Sequence, residues 1–152
     1  MSKLLKLISI SLLGLFLTSG AFAKTEVVYI PKNTGNPYFD SIIKGFEVGA
    51  EKYGYNFSTV APATADATSQ LPFIKAEIQR GVDVIAISPN SNDALNTVFD
   101  QARKKGIIVM VVNGDIPGSE DHRDVAIMPV DFSTVGTAQM TLMGQLIDHK
   151  GQ

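Results

Sequence analysis

Cysteine is absent from the 152 residues, histidine occurs only twice, and the 13 Lys and Arg do not outnumber the 15 Asp and Glu. Without cysteine the chain cannot lean on disulfides, even in an oxidising compartment, and offers no thiol for lipid attachment. His122 and His149 stand in a charged loop and at a helix end with no ligand spacing, which points to solvated positions rather than a metal site or a general base. A mildly acidic chain with no basic patch argues against nucleic acid as a partner. No Gly-x-Gly-x-x-Gly turn and no Gly-x-x-x-x-Gly-Lys loop follows a strand pattern, so the backbone cradle for a nucleotide phosphate is missing. The Gly-x-Ser-x-Gly elbow of a hydrolase is missing too. A phosphate-accepting receiver would want an acidic pair after the first strand, where Pro31 and Lys32 stand instead. The expectation is a protein that is no enzyme and uses no cofactor and no metal.

The one long apolar run, Leu7 to Leu17, is too short for the about 20 residues that span a bilayer. Preceded by Lys3 and Lys6 and followed by Ala21-Phe22-Ala23, it reads as an export leader cleaved to leave Lys24 first. Residues 1–23 are therefore expected to be a signal peptide. The 129 residues that follow carry 11 Lys and Arg against 15 Asp and Glu, a net charge of −4, and are enough for one domain with a core. Nothing of low complexity divides them.

Within them one unit recurs: helical spacing, then a glycine, then an apolar strand. The strands open at Gly54-Tyr-Asn-Phe-Ser-Thr-Val60, Gly81-Val-Asp-Val-Ile-Ala-Ile87 and Gly106-Ile-Ile-Val-Met-Val-Val112. Each glycine stands where a helix end calls for a left-handed residue, and the β-branched runs suit strands buried on both faces. Apolar positions before them keep helical spacing: Ile42, Phe46, Gly49 and Tyr53, then Leu71, Ile74 and Ile78, then Leu95, Val98 and Ala102. Strands are expected near 25–30, 56–61, 83–87, 107–112 and 124–128. Helices are expected near 37–53, 68–80, 92–105 and 133–149, the last with Val135, Ala138, Leu142 and Leu146 on one face and Gly151 at its end. Such alternation predicts an α/β fold, a Rossmann-like, doubly wound parallel sheet in a single lobe with helices on both sides.

In open sheets of this kind ligands bind beyond the carboxyl ends of the strands. After the first strand comes Pro31-Lys-Asn-Thr-Gly-Asn-Pro-Tyr-Phe39. Tyr38 and Phe39 can stack on the C–H face of a sugar ring, and Lys32, Asn33 and Asn36 can hydrogen-bond its hydroxyls. The same residues also make a capped turn, with Asn36 as N-cap, Pro37 first in the helix and both aromatics roofing the core. Further polar clusters follow the third strand at Ser88-Pro-Asn-Ser-Asn-Asp93, the fourth at Asn113-Gly-Asp115 and the fifth at Met128-Pro-Val-Asp131. Asp93 and Asp131 are expected to be helix caps. Asn113 and Asp115, with no helix directly after them, form either a plain turn or a cluster facing the crevice.

The leader, the Pro-Lys-Asn-Thr-Gly-Asn-Pro-Tyr-Phe loop, the segment Gly-Val-Asp-Val-Ile-Ala-Ile-Ser-Pro-Asn and the strand ending in Asn-Gly-Asp-Ile-Pro together resemble the periplasmic sugar-binding proteins of ABC importers, the ribose-, rhamnose- and autoinducer-binding group. The resemblance implies a periplasmic receptor for a monosaccharide or small polyol, with an inner-membrane ABC permease as partner. It implies Lys32, Asn36, Tyr38 and Phe39 as ligand-binding residues. At the end of the fourth strand that group usually has an aspartate; Asn113 occupies the position here, with Asp115 two further on to accept another hydroxyl or orient Asn113. The group's chains have two lobes, and residues 24–152 correspond to the N-terminal one. A truncated, nonfunctional fragment and a sugar-sensing module for a chemoreceptor or sensor kinase are the alternatives.

Overall fold

The computed structural model describes residues 23–150 except 92, 116, 117 and 130. The expected leader, apart from Ala23, and the expected cap at Gly151 lie outside the described residues. Five strands, β1 (Glu26–Ile30), β2 (Asn56–Thr59), β3 (Val84–Ile87), β4 (Ile108–Val112) and β5 (Val125–Ile127), form one parallel sheet in the order β2-β1-β3-β4-β5. Four helices accompany them: α1 (Pro37–Tyr53), α2 (Leu71–Arg80), α3 (Asn96–Lys104) and α4 (Phe132–Leu146). The α/β fold read from the glycine-strand repeat is the fold observed. Gly54, Gly81 and Gly106 all take the left-handed conformation, φ +73° to +81°, where a Cβ would be strained.

The alternation of side chains along each strand divides the core in two. On one face Val28, Ile30, Ile85, Ile87, Val109 and Val111 meet α2 and α3 through Ile74, Ile78, Leu95, Val98 and Phe99. On the other, Tyr29, Ala86 and Val112 meet α1 through Phe39, Ile42 and Phe46. There the rings of Tyr29, Phe46 and Phe57 are stacked at 5.0 and 5.5 Å. This second face is covered only in part. An open apolar groove of about 420 Å³ runs beside α1, lined among others by Phe46, Tyr53, Tyr55, Met110 and Ile127.

Three helix boundaries depart from the expected ones, and one short turn is added, each for a local reason. Helix α2 starts at 71 rather than 68, because Ser69 turns back on the Asp66 carbonyl and Gln70 is drawn into the interior. Helix α3 starts at 96 because the Ser91 hydroxyl accepts from the amides of Asp93 and Ala94, holding a turn; Asp93 does not cap the helix. A short 3-10 turn at Glu120–His122 was not anticipated, and there His122 Nδ1 lies 2.8 Å from Asp100 Oδ1 rather than standing free in solvent. Helix α4 ends at 146, where Asp148 and His149 adopt positive φ. Its supposed core face is not buried: Leu142 is 56% and Leu146 73% exposed. Periodicity names the residues that share a face, not the surface that covers them. Asp131 does cap α4, accepting from the Ser133 amide and the Thr134 hydroxyl. Those bonds, the hydroxyl's first, hold its carboxyl below the usual range.

A buried relay ties three strands together. The Ser88 hydroxyl donates to the Val112 carbonyl at 2.9 Å and lies 2.8 Å from the Tyr29 hydroxyl, which can donate to it in turn. Burial pushes the Tyr29 hydroxyl above its ordinary value of 10.0, against the opposing effect of the Ser88 bond. The neutral phenol is thus the form that folding favours. Its contribution is complete below pH about 10 and is lost as pH rises through the higher folded value. Tyr29→Phe should cost about 1 kcal/mol in denaturant melts near neutral pH and should blunt the alkaline fall in stability. A variant with unchanged stability would show the relay to be idle.

Candidate functional site

The site lies at the carboxyl edge of the sheet, where β1, β3 and β4 end together. Local chemistry shapes the loop after β1. Gly35 takes φ +70°, the Thr34 amide reaches the Pro62 carbonyl at 2.9 Å, and Asn36 caps α1 by accepting from the Tyr38 amide at 3.1 Å, with Pro37 first in the helix. Tyr38 is then held on the rim, 55% exposed, and its hydroxyl donates to the side-chain oxygen of Asn113. Asn113 itself sits in the left-handed region at φ +66°, a conformation asparagine tolerates better than most residues, and its amide is fixed by the Ile127 carbonyl at 2.9 Å. Between them opens a cleft of about 330 Å³ lined by Tyr38, Ser41, Ile42, Val112, Asn113, Ile127 and Pro129.

The expected site residues divide on this geometry. Tyr38 and Asn113, 75 residues apart in sequence, are brought into contact. Phe39 is turned into the core, 4% exposed, and meets Tyr38 edge to face at 5.3 Å. Consecutive helical residues point about 100° apart, so only one of the two rings can face the cleft. Asn36 has its oxygen engaged by its capping bond. Lys32 stands half-buried at the end of β1, in none of the ion pairs among the described residues. Asn33, named with these residues as a hydroxyl partner, donates instead to the Thr34 carbonyl. Asp115 is gripped by Arg123 through two parallel bonds, one of 2.7 Å, and that pairing holds the guanidinium above its ordinary pKa.

The segment after β3 builds the frame instead of the cleft. Ser88 is buried in the relay already described, and Asn90 folds back to donate to the Lys32 carbonyl at 2.8 Å. Behind it lies Gln70, fully buried, which donates to the carbonyls of Pro31 and Ser88 and accepts from the Asn90 amide. Nothing in the sequence marks Gln70; its partners are 18 to 39 residues away. Among the described residues no group of three His, Cys, Asp or Glu could hold a metal ion, and no helix is long and apolar enough to cross a membrane.

A cleft at the carboxyl edge of a parallel α/β lobe lies where open sheets of this kind bind their ligands. The family description "periplasmic binding protein domain" matches residues 27–152, and the chain belongs to that family. It is 33% identical over 111 residues to the D-allose-binding periplasmic protein of Escherichia coli, covering 72% of this chain and 36% of that one. It is 26% identical over 113 residues to the ribose import binding protein of the same organism, covering 74% and 38%. Among solved structures, a solute-binding protein of an ABC transporter from Burkholderia graminis in complex with D-arabinose superposes with TM-score 0.78 at 31% identity, over 84% of this chain and 43% of that one. A Clostridium phytofermentas counterpart with bound L-rhamnose gives 0.77 at 26% identity, over 84% and 39%. The chain thus spans less than half the length of the relatives it matches.

Proposed function

We propose that residues 24–152 are one lobe of a periplasmic receptor that delivers a monosaccharide or similar small polyol to an ABC-type importer, and that the receptor performs no chemistry on it. The contact between Tyr38 and Asn113 carries this reading, because it sets an aromatic face beside an oriented amide at the mouth of a cleft on the binding edge of the sheet. Tyr38 stacks on the ring and Phe39 steadies it from behind. Asn113, Asn36 and Lys32 donate to ligand oxygens. Asp115, held by Arg123, braces the loop that carries Asn113. Relatives whose names or bound ligands are allose, ribose, arabinose and rhamnose support the sugar class, and the periplasmic station in the name of the allose-binding relative, with the leader-like residues 1–23, supports export.

Two measurements test it. A ligand bound only by the native state raises the melting temperature by mass action, so simple sugars should stabilise the protein while ATP and dinucleotides should not. Stabilisation by nucleotides alone would refute the reading. Protein recovered from periplasmic extract should begin at Lys24; an intact leader in the membrane fraction would count against export as a free receptor.

A further inference from the structure

Between α2 and α3, on the side of the sheet away from α1, lies a hollow of about 410 Å³ lined by Lys75, Ile78, Gln79, Gln101, Lys104 and Lys105. Half of its lining is lysine and none of it is acidic. All three lysines are exposed and stand in no ion pair among the described residues. The one carboxylate on each helix is turned elsewhere, Glu77 to Arg80 at 2.7 Å and Asp100 to His122 at 2.8 Å. Asp83, which follows α2, accepts from the Glu26 amide. Lys104 and Lys105 suit the negative end of α3, but Lys75 stands in the middle of α2, where no helix end calls for a cation. Nor is the chain basic at large: without these three lysines, residues 24–152 would carry 8 Lys and Arg against 15 Asp and Glu.

A single phosphate is best held where backbone N–H groups are free or an arginine fork can grip it. The hollow has neither. Its residues come from beyond the first turn of α2 and from the last turns of α3, where the backbone N–H groups are already bonded, and its cations are hydrated lysines. A bilayer surface would bring anionic charge against the whole lobe, whose many other carboxylates would oppose the pull of three lysines. A narrow acidic segment avoids both difficulties. Charges more than about 10 Å away are largely screened at 0.1 M salt, so carboxylates reaching into the hollow meet the lysines and little else. The flanking helices are 10 and 9 residues long, about 15 Å, a length that several carboxylates of one segment can follow. We propose that this hollow is a docking surface for an acidic segment of a partner protein, its carboxylates meeting Lys75, Lys104 and Lys105 and its backbone bonded by Gln79 and Gln101. It lies on the opposite face of the sheet from the cleft at Tyr38 and Asn113, so its occupation leaves that cleft open, and the proposal stands apart from the sugar-receptor reading.

The test is fluorescence anisotropy of a labelled glutamate decapeptide titrated with the protein carrying everything its gene encodes. At about 50 mM salt the peptide should bind in the micromolar range, weakening about tenfold or more at about 300 mM. Lys75→Gln, Lys104→Gln and Lys105→Gln together should weaken it about tenfold or more, whereas the same loss of charge through Lys24→Gln, Lys44→Gln and Lys52→Gln should change it by less than about twofold. Lys75→Gln alone should cost about threefold, because it removes the cation on the α2 side of the hollow. Equal loss in the two triple variants, or a glutamine decapeptide that binds as tightly, would overturn the proposal. So would displacement of the peptide by millimolar inorganic phosphate at constant ionic strength, or tighter attachment to vesicles of phosphatidylglycerol and phosphatidylcholine than to the peptide.

Discussion

Gln70→Ala is expected to lower the melting temperature by roughly 12 °C, corresponding to about 3 kcal/mol at about 4 °C per kcal/mol for a domain of this size. The side chain is fully buried and joins three segments: its NH₂ bonds the carbonyls of Pro31 at 3.0 Å and Ser88 at 2.8 Å, and its oxygen takes the Asn90 amide at 2.9 Å. Truncation leaves these backbone groups buried without partners, each costing about 1–3 kcal/mol unless water enters. Gln70→Glu separates this account from simple loss of packing. Its volume is nearly that of Gln, yet a carboxylate would face two carbonyl oxygens and would either repel them or take up a proton. The Glu variant should therefore melt well below wild type at neutral pH and recover part of the loss on acidification. A Glu variant as stable as wild type would show that Gln70 merely fills space. Damage should also reach the loop after β1, since Asn90 holds the Lys32 carbonyl through the same network.

The parts of this molecule that were legible in its sequence are those fixed within a few residues. Asn36, Pro37 and the left-handed glycines at 54, 81 and 106 are local choices of backbone, and each stands in the structure as its residue type dictates. The start of α3 was misread because Ser, Asn and Asp all cap helices well, and only the fold decides that Ser91 makes a turn that postpones the helix to Asn96. The two rings at 38 and 39 could have been separated by the helical repeat alone, one outward and one into the core. The Tyr38–Asn113 bond could not, because it depends on β3 lying between β1 and β4, a matter of sheet order. Gln70 was illegible for the same reason: a buried amide looks like any surface glutamine until the strand ends it bridges are known to be neighbours.

Residues 24–152 expressed by themselves should bind sugar only in the millimolar range, whereas a receptor that encloses its ligand reaches micromolar or tighter. Good small-molecule sites bury most of the ligand's surface. The cleft at Tyr38 and Asn113 is a wall open to solvent, so a bound sugar keeps much of its hydration and meets few of its possible partners. A thousandfold loss corresponds to about 4 kcal/mol, which the removal of two or three hydrogen bonds and one stacking face can account for. Stability should suffer less, because the core between the sheet and α2 and α3 is complete, with Phe99, Leu95 and Ile74 fully buried. The groove beside α1 and the uncovered apolar residues of α4 should instead reveal themselves as concentration-dependent association, since exposed patches of this kind are rarely left bare in monomers. Calorimetry paired with light scattering on this 24–152 form decides the matter. Cooperative unfolding with millimolar binding is the expected result. Micromolar binding by a monomer would mean that one wall suffices, and that Tyr38 and Asn113 supply nearly all of the recognition.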